Sequence, residues 1–372
     1  MNQPILKKQT DTSPSGSRLL SLDVLRGFDM FWIIGADELF RSLSKISQSG
    51  PVRFITQQLD HVQWKGFVFY DLIFPLFLFI IGVSLVFSLD KIIKQEGKRA
   101  AYKRIIRRGL ILFLLGVFYD GGLSRIHEEN ILCGVLQRLA LGYFFTSLLY
   151  CNLKLKGLIA TFILLLASYW ALWTFVPLPG ATQVSFEEEM NWTHYVDHLM
   201  PPYHRIDNEG YLSTFPAVGT CLLGVFAAFL LKSTSLGPEK KVAWLIAAGA
   251  AMTILGYLWG LQFPVIKRAW TSSYVLVAGG YSSMLLGWFY LVVDVWKYQR
   301  WAAPFVWIGM NPLTIYLATN IVDLRKVAEI FVGGPIASAL GRYGDLLITF
   351  VALGLAIAFV RFLYQRKIFL RV

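Results

Sequence analysis

The stretch DHVQWKGFVFYDLIFPLFLFIIG, residues 60–82, is strongly apolar, yet it carries His61 and Trp64 at its start and Asp71 within it. An imidazole titrates near neutral pH, so it can take a proton from an amine or hydroxyl nucleophile, or itself be transiently acylated. Both roles belong to acyl transfer. A histidine that only anchors the start of a membrane helix alongside Trp64 is the competing reading. Asp37, near the end of the upstream run SLDVLRGFDMFWIIGADELF, is expected at the same level, where it would orient the imidazole or accept its proton. A helix-end acid facing headgroup water is the alternative for Asp37.

The same upstream run holds Asp23, Arg26 and Asp29. Arg26 is three residues from each of these acids, a spacing for mutual pairing. Arg26 and Asp37 are 11 residues apart, close to three whole turns, which puts both on one helix face roughly 16 Å apart. Gln137 and Arg138 lie among apolar residues in ILCGVLQRLALGYFF, and an unpaired arginine there is costly. Arg138, taken to lie in the cytoplasmic half of its helix, is expected to meet Asp29, Asp71 or an anionic ligand. No phosphate loop, dinucleotide fingerprint or serine elbow is present, so a nucleotide-bearing donor would rest on Arg26, Arg108 and Arg138. Asn311 precedes Pro312 in FVWIGMNPLTIYL, which suits a helix kink or a polar lining.

Such residues need apolar elements to position them. Of 372 residues, 56% are hydrophobic and 16% charged, and about ten apolar runs are separated by polar loops. Continuous runs without strict alternation predict an all-α, polytopic integral membrane protein rather than a barrel. Helices are expected near 22–40, 66–89, 105–119, 131–150, 157–177, 212–231, 242–262, 271–296, 303–322 and 345–364. Residues 1–20 read as a polar tail with no cleavable signal. Residues 21–372 read as one transmembrane domain with a large outer loop at 178–211. With the N-terminus inside, 22 Lys and Arg fall in cytoplasmic segments and 11 on the opposite side. Both termini are therefore expected in the cytoplasm, and the net charge of +12 reflects loop retention rather than a nucleic-acid partner.

The outer loop carries Glu187, Glu188, Glu189, Asp197, Asp207 and Glu209 against one arginine, with Trp192, Tyr195 and Tyr203. It suits a lid over a cationic or sugar ligand. His194, Asp197 and His198 have helical spacing for a metal pair but lack a further ligand, so no metal is expected. Cys133, Cys151 and Cys221 have no paired spacing, and no disulfide is expected.

Six segments, SLDVLRGFDMFWI, DHVQWKGFVFYDLIFPLFLFIIGVSL, GVLQRLALGYF, EGYLSTFPAVGTCLLGV, WTSSYVLVAGG and IGMNPLTIYL, together resemble the transmembrane acyltransferase family of heparan-α-glucosaminide N-acetyltransferase. The likeness is greatest to its short bacterial, NagX-like members. The resemblance implies transfer of acetyl from cytoplasmic acetyl-CoA to the amine of glucosamine or a small amino sugar across a bacterial inner membrane. It makes His61 the catalytic residue. The family's asparagine aligns with Asp37, an acid that cannot donate to an oxyanion as an amide can, so Asp37 would polarise His61 or bind the amine. Arg26, Arg108, Gln137, Arg138 and Asn311 are expected to hold acetyl-CoA. Trp64, Asp71, Trp270, Ser272 and Ser273 are expected to touch the sugar. The apolar helix faces permit a homodimer in the bilayer. An inner-membrane amino-sugar transporter, with Arg26, Asp29, Asp71 and Arg138 as its path, is the alternative function.

Overall fold

The computed structural model describes residues 19–122, 134–199 and 210–370. The N-terminal tail before residue 19, Cys133, Tyr203, Asp207 and Glu209 lie outside them. Among the described residues the elements are all helical, apart from one antiparallel bridge between Lys65 and Ile266.

The chain opens with α1 (Leu20–Phe31), a π turn (Trp32–Ala36) and α2 (Asp37–Ile46), followed by the short α3 (Gly50–Gln58). A 3-10 turn (Phe69–Leu72) leads into α4 (Ile73–Glu96), then α5 (Lys98–Tyr119), α6 (Val135–Asn152) and α7 (Leu155–Phe175). The segment that follows α7 contains α8 (Trp192–Leu199). Next come α9 (Thr214–Lys232), α10 (Pro238–Gly260) and α11 (Ser272–Phe289), which runs on into a π turn (Tyr290–Val295). The chain finishes with α12 (Ala303–Met310), α13 (Pro312–Ile321), α14 (Leu324–Val332), α15 (Pro335–Ala339) and α16 (Gly344–Gln365).

Each of the ten apolar runs contains helix. Among the described residues six helical segments, Phe69–Glu96, Leu155–Phe175, Thr214–Lys232, Pro238–Gly260, Ser272–Val295 and Gly341–Gln365, are long and apolar enough to cross a membrane, and the chain is a multi-pass membrane protein. The boundaries moved where the apolar scan is blind. α5 begins at Lys98 rather than 105, because Lys and Arg are good helix formers even where they are not membrane-soluble. The run 303–322 is split at Asn311, where Pro312 lacks an amide hydrogen and starts a new helix. α3, α8, α14 and α15 were not anticipated, since they are too short to register as spans.

α4 and α9 form the buried centre, and glycines set their approach. A Cβ on Gly82 would lie 1.9 Å from the Cys221 carbonyl, and one on Gly224 would lie 2.0 Å from the Phe79 carbonyl. α1 and α12 cross in the same way: a Cβ on Gly27 would meet the Phe305 carbonyl at 1.8 Å. Lipid tails are as apolar as the helices, so close backbone packing, not the hydrophobic effect, holds such pairs together.

Polar contacts divide the loops between two ends. At one end Asp90 receives Lys232 and Tyr150, Tyr102 bonds Asn152, and the Ser21 amide donates to Asp294. At the other, Lys65 pairs with Glu187, Arg41 with Asp60 and Lys45 with Asp345. This is the alternation the apolar runs predicted. The first end holds the basic segment 91–108 and both the first and last described residues; the second holds His61. Gly82→Leu is expected to drive α4 and α9 apart and to destabilise the protein by more than the ~1–3 kcal/mol of ordinary overpacking. Thermal unfolding in detergent, monitored by tryptophan fluorescence, measures this.

Candidate active site

His61 stands in the connection between α3 and the Phe69–Leu72 turn, not on the spanning helix itself. The connection is fixed from several sides. The Gly66 amide donates to the Val265 carbonyl at 2.8 Å, and Gly66 holds φ at 129°, which favours glycine. Trp64 Nε1 donates to the Phe186 carbonyl at 2.7 Å, and Arg41 donates to the Leu59 carbonyl at 2.9 Å.

His61 Nδ1 lies 2.7 Å from Asp71 Oδ1. The Asp71 side chain has no solvent exposure, whereas that of His61 is 48% exposed. A buried carboxylate needs several partners. Asp71 Oδ2 accepts from the Val68 amide at 3.2 Å, and the Tyr274 hydroxyl donates to the Asp71 carbonyl at 2.7 Å. Because a carboxylate can only accept, it selects the tautomer in which Nδ1 carries the proton and leaves Nε2 as the free base. Lys267 Nζ lies 3.3 Å from that Nε2, 3.2 Å from Nδ1 and 3.7 Å from Asp71 Oδ1. In this tautomer only the Nε2 contact can be a hydrogen bond, with the ammonium as donor.

Asp37 does not reach the imidazole. It accepts from the Tyr70 hydroxyl at 3.1 Å and faces Arg41 Nε at 3.6 Å, while the Tyr70 ring lies 4.9 Å from that of His61. The reason is the π turn at Trp32–Ala36, in which Gly35 has φ of 121° and the face carrying Arg26 is rotated before Asp37. Both residues still meet the Phe69–Glu96 segment, Arg26 through Ser84 at 2.8 Å and Asp37 through Tyr70. Of its two neighbouring acids, Arg26 takes Asp23 at 3.3 Å, whereas neither oxygen of buried Asp29 has a hydrogen-bond partner.

Arg26, Arg104 and Arg108 line one cavity of about 440 Å³, together with Ser84, Phe77 and Tyr316. It reaches from Arg104 and Phe369 at the basic end as far as Phe77, six residues and roughly 9 Å along the helix from Asp71. Arg108 lies over the Tyr143 ring at 4.7 Å, and its buried Nε has no hydrogen-bond partner. Asn311 does not line the cavity although Met310 and Pro312 do; both polar atoms of its buried amide lack partners.

Gln137 and Arg138 are not in this group. α6 starts at Val135 at the His61 end, so both occupy its first turn rather than the expected half toward the basic segment 91–108. Gln137 donates to Asp120 at 2.7 Å. Arg138 donates to the Ser213 hydroxyl at 2.6 Å and the Gly210 carbonyl at 2.7 Å, and lies over Trp270 at 5.4 Å; it meets neither Asp29 nor Asp71. The expected sugar contacts Trp270, Ser272 and Ser273 are fully buried and bonded within the fold. Trp270 donates to Thr220, Ser272 to the Leu166 carbonyl and Ser273 to the Pro264 carbonyl. Trp64 likewise packs into the aromatic cluster of Tyr169, Trp173 and Phe263.

The described acids of the 178–211 segment are partly committed. Glu187 takes Lys65, Glu188 takes Arg268, and Asp197 accepts from the Tyr211 amide at 2.9 Å. The His194 and His198 rings are 4.2 Å apart. Lys267 was missed because it counted only as a loop charge; its approach to His61 spans 206 residues of sequence.

Residues 18–261 match the family model described as heparan-alpha-glucosaminide N-acetyltransferase, catalytic. The chain belongs to that family. The heparan-alpha-glucosaminide N-acetyltransferase of Mus musculus is 26% identical over 374 residues, covering 84% of this chain and 56% of the relative. Its Homo sapiens namesake is 27% identical over 326 residues, covering 71% of this chain and 49% of the relative. The chain thus spans about half the length of the curated relatives it matches. The family match contains His61, Asp71 and the arginines of the cavity, whereas Lys267 and Asn311 lie beyond it.

Burial pushes the Asp197 carboxyl up to about 6, against the opposing pull of the Tyr211 amide, Arg138 and His198. A raised carboxyl favours the protonated folded state, so its contribution to stability is full below the unfolded value near 4 and is lost as pH rises through about 6. Asp197→Asn keeps an acceptor for Tyr211 and removes the charge. Relative to the variant, the parent is expected to lose about 1–2 kcal/mol between pH 4 and pH 7, read from unfolding midpoints in detergent.

Proposed function

We propose that this protein is a transmembrane N-acetyltransferase of a bacterial inner membrane, taking acetyl from cytoplasmic acetyl-CoA and delivering it to the amine of glucosamine or a small amino sugar on the far side. The single observation carrying this is the pairing of His61 with buried Asp71 at one end of a family member whose other end opens into an arginine-lined cavity. The positive-inside rule supports placing the arginine end in the cytoplasm, with both termini there. On that reading some ten spans form a single domain, which places the site within reach of both aqueous phases.

The cavity residues fit the donor. Arg104 and Arg108 at its mouth are suited to phosphates, which guanidinium groups bind well, and the buried Arg108 Nε lacks a partner. Arg26 sits deeper, and Ser84, which it holds, is 13 residues or roughly 20 Å along the helix from Asp71. Acetyl-CoA supplies the activated thioester when bound. The chain's own work is acid–base and positional. Asp71 fixes the Nδ1–H tautomer, and Nε2 accepts a proton from the sugar ammonium so that the neutral amine can attack. Tyr70, held by Asp37, packs beside the imidazole and limits its rotation. Transfer across the membrane then needs no movement of the nucleotide.

With radiolabelled acetyl-CoA and glucosamine in detergent, label is expected in N-acetylglucosamine, and His61→Ala is expected to lower kcat by ~10²–10⁴. Asp71→Asn should lower kcat with little change in KM for acetyl-CoA. By contrast, Arg104→Ala and Arg108→Ala should raise that KM by about 10- to 100-fold, the loss of one charge-assisted hydrogen bond each. Absence of label in any amino sugar, with sugar accumulating in liposomes that carry the protein, would establish the transporter instead.

A further inference from the structure

The proton-accepting nitrogen of His61 already has an amine beside it. Lys267 Nζ stands 3.3 Å from Nε2, close to the reach a general base needs toward the proton it removes. This placement is built into the fold. The Lys267 carbonyl accepts from the Trp270 amide at 2.9 Å, Ile266 pairs with Lys65, and the Ile266 amide donates to the Thr271 hydroxyl at 3.1 Å. The Lys267 side chain is only 15% exposed, and Asp71 draws its ammonium inward. The other lysines described at this end pair with more exposed carboxylates, Lys45 with Asp345, Lys65 with Glu187 and Lys326 with Asp323.

We infer that Lys267 is an internal acetyl acceptor, standing where the sugar amine must stand and taking the acetyl group itself when no sugar is present. This rests on the acetyltransferase reading above. The ammonium of Lys267 gives one proton to His61 Nε2. The neutral amine then forms a nitrogen–carbon bond to the acetyl carbonyl, the thioester carbon–sulfur bond breaks, and the departing thiolate takes the second nitrogen-bound proton. His61 returns its proton to water. The products are Nε-acetyl-Lys267 and free CoA. A tethered nucleophile at this distance has the advantage of proximity over any lysine elsewhere on the surface. The product is a neutral amide in the acceptor position, and it blocks the sugar.

The test uses the full chain in detergent, incubated with acetyl-CoA carrying a heavy-isotope acetyl group and no sugar, followed by peptide mass spectrometry. Heavy acetyl is expected on Lys267 at least about tenfold faster than on Lys45, Lys65 or Lys326, and about 100-fold more slowly in His61→Ala. Glucosamine should suppress it, and preincubated protein should lose sugar acetylation in proportion to Lys267 occupancy. An unlabelled Lys267 in a preparation that acetylates glucosamine overturns the inference while leaving the acetyltransferase intact. Labelling no faster than at Lys45, or undiminished in His61→Ala, is ordinary chemical acetylation and also overturns it. A preparation that labels neither sugar nor protein removes the acetyltransferase reading, and the inference with it.

Discussion

A carboxylate cut off from water dictates the arrangement around it. Asp71 is fully buried at the entrance to α4, and an unpaired charge there would cost several kcal/mol. The fold meets this by bringing separate segments to the carboxylate, the Val68 amide and His61 from the same connection and Lys267 from the 261–271 loop, while the Tyr274 hydroxyl of α11 donates to the Asp71 main-chain carbonyl. Each contact that satisfies Asp71 also immobilises something. The imidazole is held in one tautomer, the loop carrying Lys267 is drawn onto the α3–α4 connection, and α11 is tied to the head of α4. Stability and chemical poise share the same contacts, so the site cannot loosen without exposing an expensive charge.

The second constraint is backbone approach in the membrane. Gly82 against Cys221 and Gly224 against Phe79 let α4 and α9 meet without intervening side chains, and Gly27 does the same for α1 and α12. These contacts fix α4 as a rigid rod between two chemically different ends. Asp71 and His61 are organised at one, and Arg26 holds Ser84 further along the same segment. The cavity between α1, α4, α5, α6 and the α12–α13 break follows that rod. Asn311, Asp29 and Arg108 keep buried polar atoms without hydrogen-bond partners close to this region of sequence. Polar atoms left unsatisfied in a membrane interior are costly, and they concentrate in functional interiors rather than at lipid faces.

Much of this was legible in the residues. The apolar runs and the separation of His61 from the basic segment 91–108 both came from local hydropathy and connectivity. Arg26 and Arg108 were expected to be donor contacts because a charged group at membrane depth needs a reason, and both line the cavity. Arg138 was expected in the second half of its helix, although residue 138 already falls in the first half of a run over 131–150, and the start of α6 at Val135 brings it into the first turn. Trp270, Ser272 and Ser273 carry polar atoms that suggest a ligand, yet each is spent on a neighbouring carbonyl or hydroxyl that only folding brings near.

The sequence by itself determined the helical membrane class, the order of the apolar segments and the presence of an imidazole at a membrane boundary. These depend on about twenty consecutive residues at a time, and so they are read without knowing what packs on what. The tertiary structure alone decided what His61 touches. A π turn, invisible in residue composition, turned Asp37 toward Tyr70, and closure of a loop 206 residues away brought Lys267 to the imidazole. Hydrogen bonds require donor and acceptor within about 3 Å, a tolerance far finer than the rotation and rise of a helix can be inferred from its hydropathy.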